Sequence, residues 1–211
     1  MDATPNSFRI KATVAISTAA IILIIDQIVK IYVKTHFLLH ERVVVTDWFN
    51  IFFTENQGMA FGMSFIGTMF LTIFRLVAVA FFVYVLLRVI RNGKYCMGFL
   101  ICTALVVAGA IGNIIDNCLY GLIFSESTPW GQPSQFVAFG NGYGDFLSGK
   151  VVDMFYFPLF VWPDWVPLLG GEYFFNAVFN VADASISCGA VTIILFYRKY
   201  ITSDLVTVKR K

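Results

Sequence analysis

Charged side chains are scarce in this chain. They make up 13% of its 211 residues, against 58% hydrophobic residues. A soluble globular domain carries about twice that share of charge, so the composition argues against one. The net charge is +2, and no basic tract is interleaved with aromatics on a polar surface, which argues against a nucleic-acid partner. Histidine is nearly absent. His36 and His40 would share a helical face, but Phe37 stands where the zinc-protease pattern His-Glu-x-x-His needs a glutamate, so no metal site is expected. There is no Gly-x-Ser-x-Gly, and both histidines fall in the first loop, which leaves no convincing serine nucleophile. Cys96, Cys102, Cys118 and Cys188 lie in or beside apolar spans without paired spacing. They read as small core residues rather than disulfide or metal partners.

Long apolar runs are what the chain has in quantity. Four stand out, at about residues 12–29, 68–87, 97–115 and 176–197. Each approaches the length needed to cross a hydrocarbon core of about 30 Å at about 1.5 Å per residue. The expectation is an all-α membrane protein, a four-transmembrane-helix bundle forming one polytopic domain over residues 1–211. The first span resembles a secretory apolar region, but no A-x-A-type site with a soluble mature domain follows, so it is kept as an anchor. Arg9 and Lys11 precede the first span, Arg88, Arg91 and Lys94 fill the second loop, and Arg198, Lys199, Lys209, Arg210 and Lys211 follow the last. The positive-inside rule therefore puts both termini and the second loop in the cytoplasm, against a milder pull from Lys30, Lys34 and Arg42.

Polar residues inside these runs are the informative ones, because a carboxylate at a membrane helix centre costs at least about 2.5–3.5 kcal/mol. The last run contains Phe179-Asn180-Val181-Ala182-Asp183. Helical spacing predicts Asn176, Asn180, Asp183 and Ser187 on one face. In the first run Asp26 and Lys30 are four apart and can pair, with the lysine reaching toward the boundary. Arg75 in the second run needs an acidic or carbonyl partner. In the third, Ala104, Ala108, Gly112 and Asp116 recur every four residues, with Asn113 beside them, so small side chains permit close helix approach on a face leading to a carboxylate.

Between the runs, residues 43–53 are rich in β-branched and aromatic types and predict a small extracytoplasmic β-element. A polar turn, Thr54 to Gly62, follows. Residues 123–150 read as an irregular insertion in the third loop. That insertion contains Gly142-Tyr143-Gly144-Asp145, a match to the GxGD pattern that one group of intramembrane aspartyl proteases carries on a membrane helix; here it lies in a turn-rich stretch and reads as coincidence. Val151-Val152-Asp153-Met154-Phe155 comes next, an acid between apolar residues. Tyr156, Trp162, Trp165 and Tyr173 then predict a segment, about 154–169, resting at the membrane interface.

Asp26, Asp116, Asp153 and Asp183, with Glu55, thus collect on the outer side. Two close carboxylates can hydrolyse a peptide unaided, since like charges drive their apparent pKa values apart and supply a base and an acid from identical groups. This reasoning favours an aspartyl hydrolase without choosing the pair. A proton-relaying transporter and a non-catalytic assembly protein remain alternatives, although the two halves show no internal similarity of the kind many transporters carry.

Five motifs carry a resemblance: Asp26-x-x-x-Lys30, Asn56-x-Gly58-x-Ala60-Phe61, Gly109-x-x-Gly112-Asn113-x-x-Asp116, Val151-Val152-Asp153 and Phe179-Asn180-x-Ala182-Asp183. In this order, across about residues 20–190, they resemble bacterial lipoprotein signal peptidase (signal peptidase II). The resemblance implies an inner-membrane aspartyl endopeptidase that cleaves diacylglyceryl-modified prolipoproteins just before the lipidated cysteine. It implies Asp153 and Asp183 as the catalytic pair, with Asp26, Lys30, Asn56, Gly58, Asn113, Asp116 and Asn180 shaping the site or meeting substrate. No cofactor is expected, and a monomer in contact with membrane lipids is. The chain departs from the family at Asn117, where an arginine is usual, at Ala184, where a serine is usual, and in the long insertion between Asp116 and Asp153. Arg75 is a cation that could stand in for the missing arginine.

Overall fold

The computed structural model describes residues 4–56 and 68–200. In chain order its elements are α1 (Pro5–His36), β1 (Arg42–Thr46), β2 (Phe49–Asn56), α2 (Thr68–Arg91), α3 (Met97–Ile115), a π-helical turn (Asp116–Tyr120), α4 (Gly121–Ile123), β3 (Val151–Tyr156), β4 (Val178–Phe179), α5 (Val181–Phe196) and α6 (Arg198–Tyr200). Among the described residues, three stretches, Pro5–His36, Ile73–Arg91 and Met97–Ile123, are long and apolar enough to cross a membrane. Along α1, Ile16, Ile21, Ile24 and Ile28 are exposed, as are Phe74, Val77, Phe81 and Tyr84 along α2, which suits contact with acyl chains. The chain divides into two compact units. One comprises Met1–Ile25, Phe74–Gly112 and Val181–Lys211, the other Asp26–Ile73 and Asn113–Asn180.

The first unit is helical. Val85, Leu86, Val89 and Ile90 of α2 pack with Phe99, Leu100, Ala104 and Val107 of α3 and Ala15 of α1. Small residues set how closely α3 and α5 approach. A Cβ on Gly109 would lie 2.3 Å from the Ala182 carbonyl oxygen, and one on Gly189 would lie 2.6 Å from the Cys102 carbonyl oxygen. Each helix thus gives up a side chain where the other's backbone passes, and Ser185 Oγ donates to Leu105 O at 2.8 Å across the contact. A close approach through small residues is present, with Gly109 as a point of contact with α5. In the turn between α2 and α3, the buried Lys11 ammonium donates to Asn92 O at 2.9 Å and Tyr95 O at 2.8 Å, satisfying carbonyls that no helix ladder uses.

The second unit is built on an antiparallel sheet of order β1-β2-β3-β4. The expected β-element therefore recruits β3 from the third loop and β4 from the start of the last apolar run. The β2–β3 register pairs Ile51 with Phe155 but Thr54 with Asp153, so a bulge interrupts it in between. Val33, Phe53, Tyr120, Phe124, Val152 and Met154 form the core beneath.

Two expectations need correction. The last apolar run is not a helix from residue 176. Phe175 has a left-handed backbone (φ 61°), Val178 and Phe179 pair with Tyr156 and Phe155, and α5 starts only at Val181. Phe179 packs on the Phe155 and Phe157 rings, and that sheet contact outweighs the helical pattern. Asn176 and Asn180 therefore share no helix face with Asp183 and Ser187. With 16 residues, α5 extends about 24 Å. The second correction concerns residues 154–156, which belong to β3 rather than to a surface segment. Beyond them the chain forms an arm closed by the Val161–Tyr173 bridge, with Trp165 (81%) and Leu168 (101%) exposed at its tip.

Candidate active site

The second unit gathers most of the residues singled out above, and Lys30 is their hub. Its fully buried ammonium lies 2.9 Å from Asp26 Oδ2, 2.8 Å from Asp116 Oδ2 and 2.8 Å from Asn113 Oδ1. An ammonium has three N–H groups, and here each has an acceptor. The Asp26–Lys30 pair expected from spacing is thus present, but the lysine does not reach for solvent. A second carboxylate, Asp116, holds it inside. Two buried carboxylates against one ammonium leave net negative charge, which requires further donors. Gln27 is one: its Nε2 donates to Asp26 Oδ2 at 3.1 Å and to Asp116 Oδ1 at 3.0 Å, while its Oε1 accepts from Tyr120 OH at 3.1 Å. The π-helical turn puts Asp116, Asn117 and Tyr120 all in the interior.

From this hub a chain of amides leads to Asp153. Asn113 Oδ1 also accepts from Asn180 Nδ2 at 3.2 Å, and the same Nδ2 donates to Asp153 Oδ1 at 2.7 Å and to Val152 O at 3.3 Å. Asp153 sits on β3 with 4% of its surface exposed, and Asn180 is fully buried. Asp116 reaches the same strand, accepting from Val152 N at 3.4 Å. The catalytic candidate on the strand is thereby tied to the membrane-helix charges through neutral amides.

Asp183 is half-buried in the first turn of α5, three residues after Asn180, and belongs to the first unit. Asn56 ends β2 opposite Val151. Gly58, with Ala60 and Phe61 of its motif, lies outside the described residues. Asn117, standing where the arginine was expected, donates its Nδ2 to Gly149 O at 2.7 Å, and its own carbonyl accepts from Gly149 N at 2.9 Å. It therefore fastens the end of the insertion rather than supplying charge, and Arg75 lies on α2 in the first unit. The Gly142–Asp145 pattern falls in a bend and irregular chain, outside any helix. Among the described residues no three His, Cys, Asp or Glu side chains are grouped as a metal ion would need.

Sequence reasoning missed Gln27 and Tyr120. Gln27 had a signal, being a second polar residue beside Asp26 inside an apolar run. Tyr120 had none, since an aromatic near a span end usually marks an interface.

This arrangement has close relatives. The family model for signal peptidase (SPase) II matches residues 18–199. A lipoprotein signal peptidase of Porphyromonas gingivalis is 45% identical over 186 residues, covering 86% of this chain and 81% of that protein. One from Chlorobium phaeobacteroides is 30% identical, covering 87% and 95%. A solved bacterial membrane enzyme superposes with a TM-score of 0.60 at 23% identity, covering 90% of this chain and 93% of that one. With its apolar helices, the chain is a multi-pass membrane protein. A match over most of the length, joined to identity of this order, shows that the chain belongs to the signal peptidase II family.

Proposed function

We propose that this protein is an aspartyl endopeptidase that removes signal peptides from diacylglyceryl-modified prolipoproteins just before the lipidated cysteine. Asp153 and Asp183 are its reacting carboxylates. Family membership supports the substrate class, since the curated relatives are lipoprotein signal peptidases. The observation that carries the mechanism is the 2.7 Å bond from Asn180 Nδ2 to Asp153 Oδ1 in a buried setting. An amide donor orients a carboxyl group in either protonation state, which an acid–base catalyst needs as it cycles between them.

In this reading one aspartate takes a proton from water as the water oxygen bonds to the scissile carbonyl carbon. The other aspartate, protonated at the start, gives its proton to the carbonyl oxygen. When the tetrahedral intermediate collapses, the C–N bond breaks and the leaving nitrogen takes the proton gained by the first aspartate. A diol hydroxyl returns a proton to the second, so the pair ends with the single proton it began with. Asp26, Lys30, Asp116, Asn113 and Asn180 hold the frame, and Asn56 and Gly58 meet the substrate backbone. The reaction so written uses no cofactor.

The protein works as a single polytopic domain and a monomer in the bacterial inner membrane. Four helices cross, both termini are cytoplasmic and the site lies near the outer face, with the aromatic arm among the lipid headgroups. Cleavage of a diacylglyceryl-modified prolipoprotein by wild type, Asp153→Asn and Asp183→Asn tests this. Folded variants should lose at least about a thousandfold in turnover. Normal turnover by both would overturn the assignment.

A further inference from the structure

One turn beyond Lys30, the second unit buries a second ionic cluster that the proposed chemistry does not use. The Lys34 and Glu55 side chains are 0% and 3% exposed and directly paired. Ser127 Oγ donates to Glu55 Oε1 at 2.7 Å and lies 2.9 Å from Lys34 Nζ, closing a triangle. On the other side Lys150 Nζ stands 3.5 Å from Glu55 Oε2. The Tyr143 ring lies under both ammonium groups, 4.9 Å from Lys34 and 5.2 Å from Lys150, and its hydroxyl accepts from Lys150 N at 2.8 Å. Burying charge is costly, and its best-attested return is fixing one arrangement among several.

The arrangement at stake here is strand register. Glu55 faces Val152 across the β2–β3 pairing, between Thr54 opposite Asp153 and Asn56 opposite Val151. The bulge between Ile51 and Thr54 means that pairing on its far side does not dictate pairing here. A one-residue slip would turn Asp153 to the opposite face of the sheet. Ser127 lies near the start of the insertion, and Lys150 immediately precedes β3. One carboxylate on β2 thus holds both ends of the excursion that delivers β3.

Resting on the peptidase reading above, we propose that Glu55 is a positioning residue. Tied to Lys34, Ser127 and Lys150, it fixes the register that aims Asp153. The test compares wild type, Glu55→Gln, the charge-free pair Lys34→Met/Glu55→Leu, and Glu126→Gln, whose exposed carboxylate lies 3.9 Å from Lys150. Each purified protein is assayed on a diacylglyceryl-modified prolipoprotein, with melting temperature and backbone hydrogen exchange over residues 151–156 measured alongside. Glu55→Gln should lower kcat about tenfold, leave KM within about twofold and speed exchange in that strand about tenfold. The double variant should regain thermal stability while kcat stays low and exchange stays fast, and Glu126→Gln should match wild type. Wild-type kcat in Glu55→Gln, or a double variant that regains kcat with its stability, would overturn the positioning role and leave a purely stabilising pair. Inert wild type would overturn the peptidase reading instead, and the exchange comparison alone would then decide the role of Glu55.

Discussion

Where α3 meets α5 in the first unit, tight contact is made by removing side chains: Gly109 and Gly189 let one backbone lie against the other. In the second unit the interior is filled instead with charge, two buried lysines on one face of α1 meeting Asp26, Asp116 and Glu55. Shape complementarity suffices to hold apolar helices together and specifies little about direction. Ionic and amide groups have fixed donors and acceptors, so they can set the orientation of a carboxyl group, at the risk that losing one partner strands the others.

This contrast gives experiments of decreasing effect. Asp153→Asn should remove at least about a thousandfold of turnover, read by cleavage kinetics, while thermal melting moves little because asparagine keeps the shape. Lys30→Met strands two buried carboxylates and should cost about 3–5 kcal/mol, read by denaturation of the protein in detergent. Gly109→Ala pushes a methyl group toward the Ala182 carbonyl and should cost about 1–3 kcal/mol. Unlike changes in the second unit, it should leave kcat per folded molecule near wild type. A large kcat loss there would show that the division between apolar scaffold and polar site is not so clean. Asn117→Ala removes the donor to Gly149 O and should cost about 1–2 kcal/mol.

The smallest effect concerns alkaline pH. Burial pushes the Tyr143 phenol well above its ordinary range. A group raised in this way contributes stability that is intact below its unfolded value, about 10, and is lost as pH rises beyond it. Tyr143→Phe should therefore show a shallower fall in melting temperature above about pH 10 than wild type.

The parts of this architecture that were legible in sequence are those governed by local spacing. Asp26 and Lys30 are one helical turn apart, and α3 has the bounds its apolar run predicts, Met97–Ile115. The strands around residues 43–53 followed from β-branched and aromatic content. What resisted prediction depends on partners distant in the chain. Asn176–Asn180 continues a helical pattern, yet becomes extended because Phe179 finds Phe155 and Phe157 across a sheet that no local rule foretells. Lys34 read only as a first-loop cation and Glu55 only as one of the outer-side acids, with nothing to pair them, because the serine that joins them lies 93 residues beyond Lys34. Asp116 carried a signal of its own, but its union with Asp26 through one ammonium needed the fold.

The two hydrogen bonds between Asn117 and Gly149 join residues 32 apart in sequence. The intervening chain therefore departs from and returns to nearly one point, much as a side branch leaves and rejoins a road without altering its course. Length can be gained or lost within such a closed excursion without moving the residues on either side, because its ends are already together. Members of one family can thus differ widely in the size of this segment and keep the same carboxylates in place. The segment is also a natural place to graft a reporter or exchange sequence between relatives, provided that Tyr120, Phe124, Ser127 and Tyr143 are kept.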